Sequence, residues 1–240
     1  MILGVIPARY SSKRFPGKVL FKIKGKPVVR WVWEGARKSK LLTKLVIATD
    51  DEKVKKEVES FGAECIMTKK THTSGTERCF EVAEKLKPKI VINIQGDEVL
   101  IKGRIIDLLI KELKKKNVEV VTAITTIKEE KEFYDPNVVK VTITSDNFAL
   151  YFSRSPIPNL SRFSGKAKKL YKHIGIYGYK FSTLKKFIKL KGKSNLEKIE
   201  KLEQLRFLEN GIKIKIIKIK DDLHGIDVPE DIKKVENLLK

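Results

Sequence analysis

The chain is poor in several things that would assign it quickly. It has two cysteines, Cys65 and Cys79, in 240 residues. They show no metal-ligand spacing and read as reduced structural thiols. No apolar run approaches the roughly 20 residues that a bilayer-spanning helix needs, so no membrane partner is expected. The apolar start, Met1 to Ile6, is shorter than a signal-peptide core and has no basic region before it, so the expected location is cytoplasmic. There is no G-x-G-x-x-G. The one Gly-Lys-Ser, at Gly192, has Phe187 where a phosphate-binding P-loop needs glycine. Acidic residues are scarce, 30 against 52 Lys and Arg, which leaves a formal charge of +22. That excess is mostly Lys, spread along the chain, without a zinc-finger spacing or a basic arm. No nucleic-acid partner is therefore expected. Abundant Lys and Glu with only two glutamines fits a heat-adapted composition, and an AT-rich genome gives the same look. Dispersed positive charge still exerts a weak long-range pull on anionic substrates.

What is present starts at the N-terminal corner. Met1–Ile6 reads as a buried strand that breaks at Pro7 into a loop carrying Arg9, Lys13, Arg14 and Lys18. Ala8, Ser11, Ser12 and Gly17 let a bound group come close to the backbone. A buried strand feeding a cationic, small-residue loop is how α/β sheets hold phosphate at their carboxyl edge. The alternative is a basic surface turn.

Strand and helix patterns alternate through the first half: strands near Met1–Ile6, Leu45–Ala48, Ala63–Met67 and Lys89–Gln95, helices over Lys26–Lys40, Glu52–Phe61, Thr76–Leu86 and Ile105–Lys115. This predicts a mostly parallel, doubly wound, Rossmann-like α/β sheet. From Val118 the pattern turns β-rich, with Val118–Thr126, Val138–Thr144, Ala149–Phe152 and Tyr171–Tyr179. A helix over Leu196–Glu209, a strand over Ile212–Ile219 and a final helix over Pro229–Leu239 follow. That half is expected to add antiparallel strands and a smaller lobe. One domain is expected over 1–240: an α/β half over 1–117, a second part over about 118–224, and a return segment over 225–240.

Few residues stand out as chemistry. Asp97, in Gln95-Gly96-Asp97 after a buried strand, is placed to hold Mg²⁺ against phosphates, or is a turn aspartate. Asp227, just before the last helix, is a second such carboxylate or a helix cap. Ser74 and Glu77 form a capping box, and the helix start that they open, with Arg78, also suits a nucleotide. Arg154 and His173 each have a plain structural alternative. Glu200 and Gln204, four apart, are expected on one polar helix face, with Ile199, Leu202, Leu205 and Leu208 on the buried one.

Together these segments resemble the 3-deoxy-manno-octulosonate (Kdo) cytidylyltransferases nearly end to end. The resemblance rests on Ile6-Pro-Ala-Arg-Tyr10, Arg14-Phe-Pro-Gly-Lys18, Ala48-Thr-Asp50, Ser74-Gly-Thr-Glu-Arg78, Gln95-Gly-Asp-Glu98, Ala149-Leu-Tyr-Phe-Ser-Arg154, His173-Ile-Gly-Ile-Tyr-Gly-Tyr179, Glu203-Gln-Leu-Arg206 and Gly225-Ile-Asp227. Val99 departs from the family's usual proline, which touches loop stiffness rather than chemistry. The resemblance implies transfer of CMP from CTP to the anomeric hydroxyl of Kdo, with Mg²⁺ as cofactor and pyrophosphate as leaving group, for lipopolysaccharide. It implies a nucleotide set of Ala8, Arg9, Arg14, Lys18, Ser74, Arg78, Gln95, Gly96 and Asp97. Arg9, Lys18, Asp97 and Asp227 would be catalytic, the two aspartates as metal ligands. Gln95, Arg154, His173, Tyr177, Glu200 and Gln204 would contact the sugar acid. A homodimer built from the β-rich half is also implied. Another 2-keto sugar acid, such as a sialic acid, remains an open alternative, and a basic nucleic-acid-binding protein a remote one.

Overall fold

The structure is a computed structural model, and it describes residues 1–11, 15–165, 169–223, 225–226 and 228–239. The chain forms two compact units, one of residues 1–111 with 223–240, the other of 112–222.

The first unit is built on parallel strands. β1 (Ile2–Pro7) runs up the middle, fully buried from Leu3 to Ile6. A short hairpin follows, β2 (Lys22–Ile23) and β3 (Lys26–Pro27). β4 (Lys44–Thr49) and β6 (Ile90–Asn93) flank β1 in parallel, and β5 (Cys65–Met67) lies outside β4. Helices α1 (Val28–Ala36), α2 (Glu52–Ser60) and α3 (Gly75–Leu86) connect them, and α4 (Gly103–Leu113) follows β6. Parallel neighbours require such crossovers. The apolar spacing is realised as expected: Val28, Val29, Val32 and Ala36 of α1, and Val54 and Val58 of α2, have no accessible surface. The helix expected from Lys26 instead begins at Val28. Lys24 and Gly25 both take positive φ, 48° and 78°. That is the turn geometry that closes a two-residue hairpin, so it draws Lys26 and Pro27 into β3.

The second unit centres on β7 (Val120–Thr126) and β10 (Tyr171–Lys180), paired antiparallel. β8 (Lys140–Ile143) runs antiparallel to β10 and to β9 (Ala149–Ser153). A short helix, α5 (Glu130–Tyr134), follows β7, and α6 (Phe181–Lys189) follows β10 directly. The expected strand over Ile212–Ile219 is β11 (Ile214–Lys218), which runs parallel to β7. A correction concerns Leu196–Glu209. That segment is two helices, α7 (Asn195–Glu200) and α8 (Leu205–Glu209), because Lys201 takes a left-handed φ of 55° and ends the first. Ile199, expected inside, is 68% exposed, while Leu202 and Leu205 are buried. The final helix, α9 (Asp231–Leu238), belongs to the first unit and buries Val235.

Candidate active site

The carboxyl ends of β1 and β6 and the start of α3 meet around a cavity of about 110 Å³. Of the residues expected to hold a nucleotide, Arg9, Lys18, Ser74, Arg78, Gln95, Gly96 and Asp97 all line it. The close approach has a simple cause: a Cβ on Gly96 would lie 2.5 Å from the Pro7 carbonyl oxygen. Only glycine lets the turn after β6 press onto the end of β1. Ala8 departs from expectation. It does not line the cavity, has no accessible surface, and its N–H donates to the Ala48 carbonyl at 2.8 Å, which joins the end of β1 to β4. Arg14 and Asp227, like Ser12 and Lys13, lie outside the described residues.

Lys18 is the hinge of this arrangement. Its ammonium donates to the Asp97 carboxylate and, at 2.8 Å, to the Ile226 carbonyl. The Ile226 N–H donates in turn to the Asp97 carbonyl at 3.1 Å. The return segment that carries Asp227 is thereby fastened to the turn that carries Asp97. Arg9 is exposed beside them. The Asp97 carboxylate, a hard oxygen donor on the cavity wall, suits Mg²⁺, which needs only one or two carboxylates when phosphates complete its shell.

The α3 end of the cavity is more occupied than the sequence suggests. Ser74 caps α3, its Oγ accepting from the Glu77 N–H at 3.3 Å, and Glu77 reaches back to the Thr73 N–H at 2.8 Å. Arg78 is only 3% exposed. Its guanidinium donates to Asp50 Oδ2 at 2.8 Å and to the Thr68 hydroxyl. Arg78 thus ties α3 to the ends of β4 and β5, with its charge matched by Asp50. His72 also lines the cavity and was not expected there; its ring lies 2.6 Å from Glu81 Oε2. Burial alone would raise the Glu81 carboxyl, but hydrogen bonds from Lys85, the Lys69 N–H and His72 hold it down to about 2. The signal that could have found His72 is its place two residues before the Ser74 cap.

In the second unit Arg154 and Glu200 come together. The Arg154 N–H and the Ser153 hydroxyl donate to the Glu200 carboxylate at 2.9 and 2.6 Å. Arg154 Nε donates to the Glu200 carbonyl and Nη1 to the Pro136 carbonyl, both at 2.9 Å. His173 and Tyr177 pack with ring centres 5.3 Å apart, and Phe152 meets the other side of His173 at 5.2 Å. His173 is half-buried as a residue, and burial pushes its imidazole down to about 3. Thr122 gives its hydroxyl proton to the Ile176 carbonyl at 2.7 Å, so His173 Nε2, 3.0 Å from that hydroxyl, is the donor in their pair. Nδ1 is left as an acceptor. Burial also pushes the Tyr177 phenol well up. Gln204 is buried at the head of α8 and does not share a helix with Glu200, since the chain breaks between them.

Residues 3–215 match the family model described as "Cytidylyltransferase". A 3-deoxy-manno-octulosonate cytidylyltransferase of Thermodesulfovibrio yellowstonii is 48% identical, over 98% of this chain and 96% of the relative. The chain belongs to the 3-deoxy-manno-octulosonate cytidylyltransferase family. A mitochondrial member from Arabidopsis thaliana is 42% identical over 100% of this chain and 83% of its own length. A solved CMP:2-keto-3-deoxy-manno-octonic acid synthetase, complexed with CTP, superposes with a TM-score of 0.94 at 39% identity, covering 100% of this chain and 98% of that one. The family's α/β sheet extends to more distant proteins. A 4-diphosphocytidyl-2C-methyl-D-erythritol synthase from Anaerococcus prevotii shares the fold at 15% identity, with a TM-score of 0.65 over 99% of this chain and 96% of that one.

Proposed function

We propose that the chain transfers CMP from CTP to the anomeric hydroxyl of Kdo, giving CMP-Kdo and pyrophosphate, as a step toward lipopolysaccharide. The observation that carries this reading is the cluster at the end of β1 and β6 in a member of this family. There Lys18 joins Asp97 to Ile226 beside Arg9, on a cavity wall that Gly96 brings up against Pro7. In-line attack on a phosphate needs positioning and neutralised charge, with no covalent enzyme intermediate. Arg9 and Lys18 would hold the phosphates, together with Arg14. Ser74, Gln95 and the N-terminal end of α3 would orient the nucleoside. Asp97 and Asp227 would hold Mg²⁺, which when bound supplies charge neutralisation and a lowered pKa at the attacking hydroxyl. Arg154, fixed by backbone carbonyls, would take the carboxylate of the sugar acid. His173 Nδ1 and the Tyr177 phenol would contact its hydroxyls. The working form is a cytoplasmic homodimer.

Pyrophosphate release tests the reading: CTP, Mg²⁺ and Kdo together, beside reactions that omit Kdo, replace it with a sialic acid, or exchange CTP for another nucleotide. Release with CTP and Kdo alone is expected. Release with a sialic acid instead would overturn the sugar assignment and keep the nucleotide site.

A further inference from the structure

Two buried lysines face each other across the second unit's sheet, Lys140 on β8 and Lys172 on β10. They are treated differently. Lys172 makes ion pairs with Glu132 and, at 2.8 Å, with Asp222. That is the ordinary way to bury an ammonium. Lys140 has no accessible surface and, among the described residues, no ion pair. Its ammonium donates to two backbone carbonyls, Asp135 at 2.8 Å and Arg154 at 2.5 Å. Burial lowers its pKa, and its charge is met only at longer range, by Asp135 and Glu200, with that of Arg154 opposing it. An apolar side chain of similar length would suit such a place better if packing were all that mattered.

The bonds around Lys140 lead to one residue. Lys140 holds the Arg154 carbonyl, Glu200 holds the Arg154 N–H, and the Arg154 side chain spends Nε and Nη1 on the carbonyls of Glu200 and Pro136. The guanidinium is thereby fixed in orientation, and among the described residues its Nη2 edge has no partner. A charged donor group held in this way suits a carboxylate oxygen. The unmatched charge of Lys140 adds to the attraction for an anion at that edge.

We propose that Lys140 is a positioning residue for the keto acid, acting through Arg154 to fix and strengthen its grip on the substrate carboxylate. This rests on the reading above that Arg154 binds that carboxylate. The test compares wild type, Lys140→Met, Lys140→Arg, Arg154→Ala and the double variant Lys140→Met with Arg154→Ala, all with Kdo and CTP varied separately. Lys140→Met is expected to raise KM for Kdo on the order of tenfold or more. KM for CTP should stay within about twofold. Lys140→Arg should recover part of the loss. In the Arg154→Ala background the effect of Lys140→Met should nearly vanish, because coupled residues are not additive. Should Lys140→Met not fold, Lys140→Gln carries the same comparison without the charge. An equal rise in both KM values, or full additivity in the double variant, would reduce Lys140 to packing. A wild-type protein that turns over CTP with no keto sugar acid would instead overturn the functional reading, and this proposal with it.

Discussion

Arg78 and Lys18 are both cations on one cavity wall, yet their partners give them different work. Arg78 is matched by Asp50 and nearly sealed, with side-chain exposures of 3% and 12%. Removing one member of such a pair leaves an uncompensated buried charge. Asp50→Asn is expected to destabilise the protein by about 3 kcal/mol, read as a fall in the urea midpoint. An unchanged midpoint would mean the pair is not what ties α3 to β4. Lys18 and Asp97 are more accessible, at 13% and 22%. Both touch the proposed reaction centre, so Asp97→Asn is expected to lower kcat by at least about 100-fold while the protein stays folded. Near-normal turnover in that variant would take Asp97 out of the metal role. The sequence made the cations visible but not their partners. Asp50 and Thr68 meet Arg78 only because the parallel strands β4 and β5 bring their two ends to one edge.

At the scale of elements, apolar spacing placed nearly every helix and strand of the first unit. It failed where backbone conformation overrides spacing. Nothing in the apolar pattern announces that Lys24 and Lys201 take positive φ, and those residues cut Lys26–Lys40 short and split Leu196–Glu209. The contact between the turn after β6 and the end of β1 is equally local. Gly96→Ala would drive a methyl into the Pro7 carbonyl, 2.5 Å away. The turn must then shift and take Asp97 with it. Overpacking of this kind costs about 1–3 kcal/mol, and kcat should fall with no matching rise in KM for CTP. Wild-type turnover in Gly96→Ala would mean that the turn can move without consequence. Helix α3 and the His72 loop before it make a pH prediction. The Glu81 carboxyl is held near 2 in the folded chain against an ordinary 4.5. Its folded pKa is depressed, so its contribution to stability is complete above about pH 4.5 and is lost as the pH falls toward 2. Urea midpoints of wild type and Glu81→Gln should therefore differ near neutrality and converge in acid. A gap that persists at low pH would assign the effect to packing.

For the whole molecule, the family was legible in short motifs because they sit where the fold gathers strand ends. The cavity gathers most of the nucleotide residues that those motifs named, from the segments around 9, 18, 74–78 and 95–97. Lys140 carried no such sign. A lysine in a strand of a lysine-rich chain looks like surface, and only its enclosure sets it apart. The same abundance of lysine gives the chain a formal charge of +22. CTP is a polyanion, so that field should raise its encounter rate from any approach without altering chemistry once it is bound. The Debye length shrinks from about 30 Å at 0.01 M salt to about 8 Å at 0.15 M, which screens all but close charges. kcat/KM for CTP is therefore expected to fall several-fold across that range while kcat holds steady. Steady-state rates at fixed Mg²⁺ and saturating Kdo, with only sodium chloride varied, would measure this. A flat kcat/KM would mean that the excess lysine plays no part in drawing substrate and records composition alone.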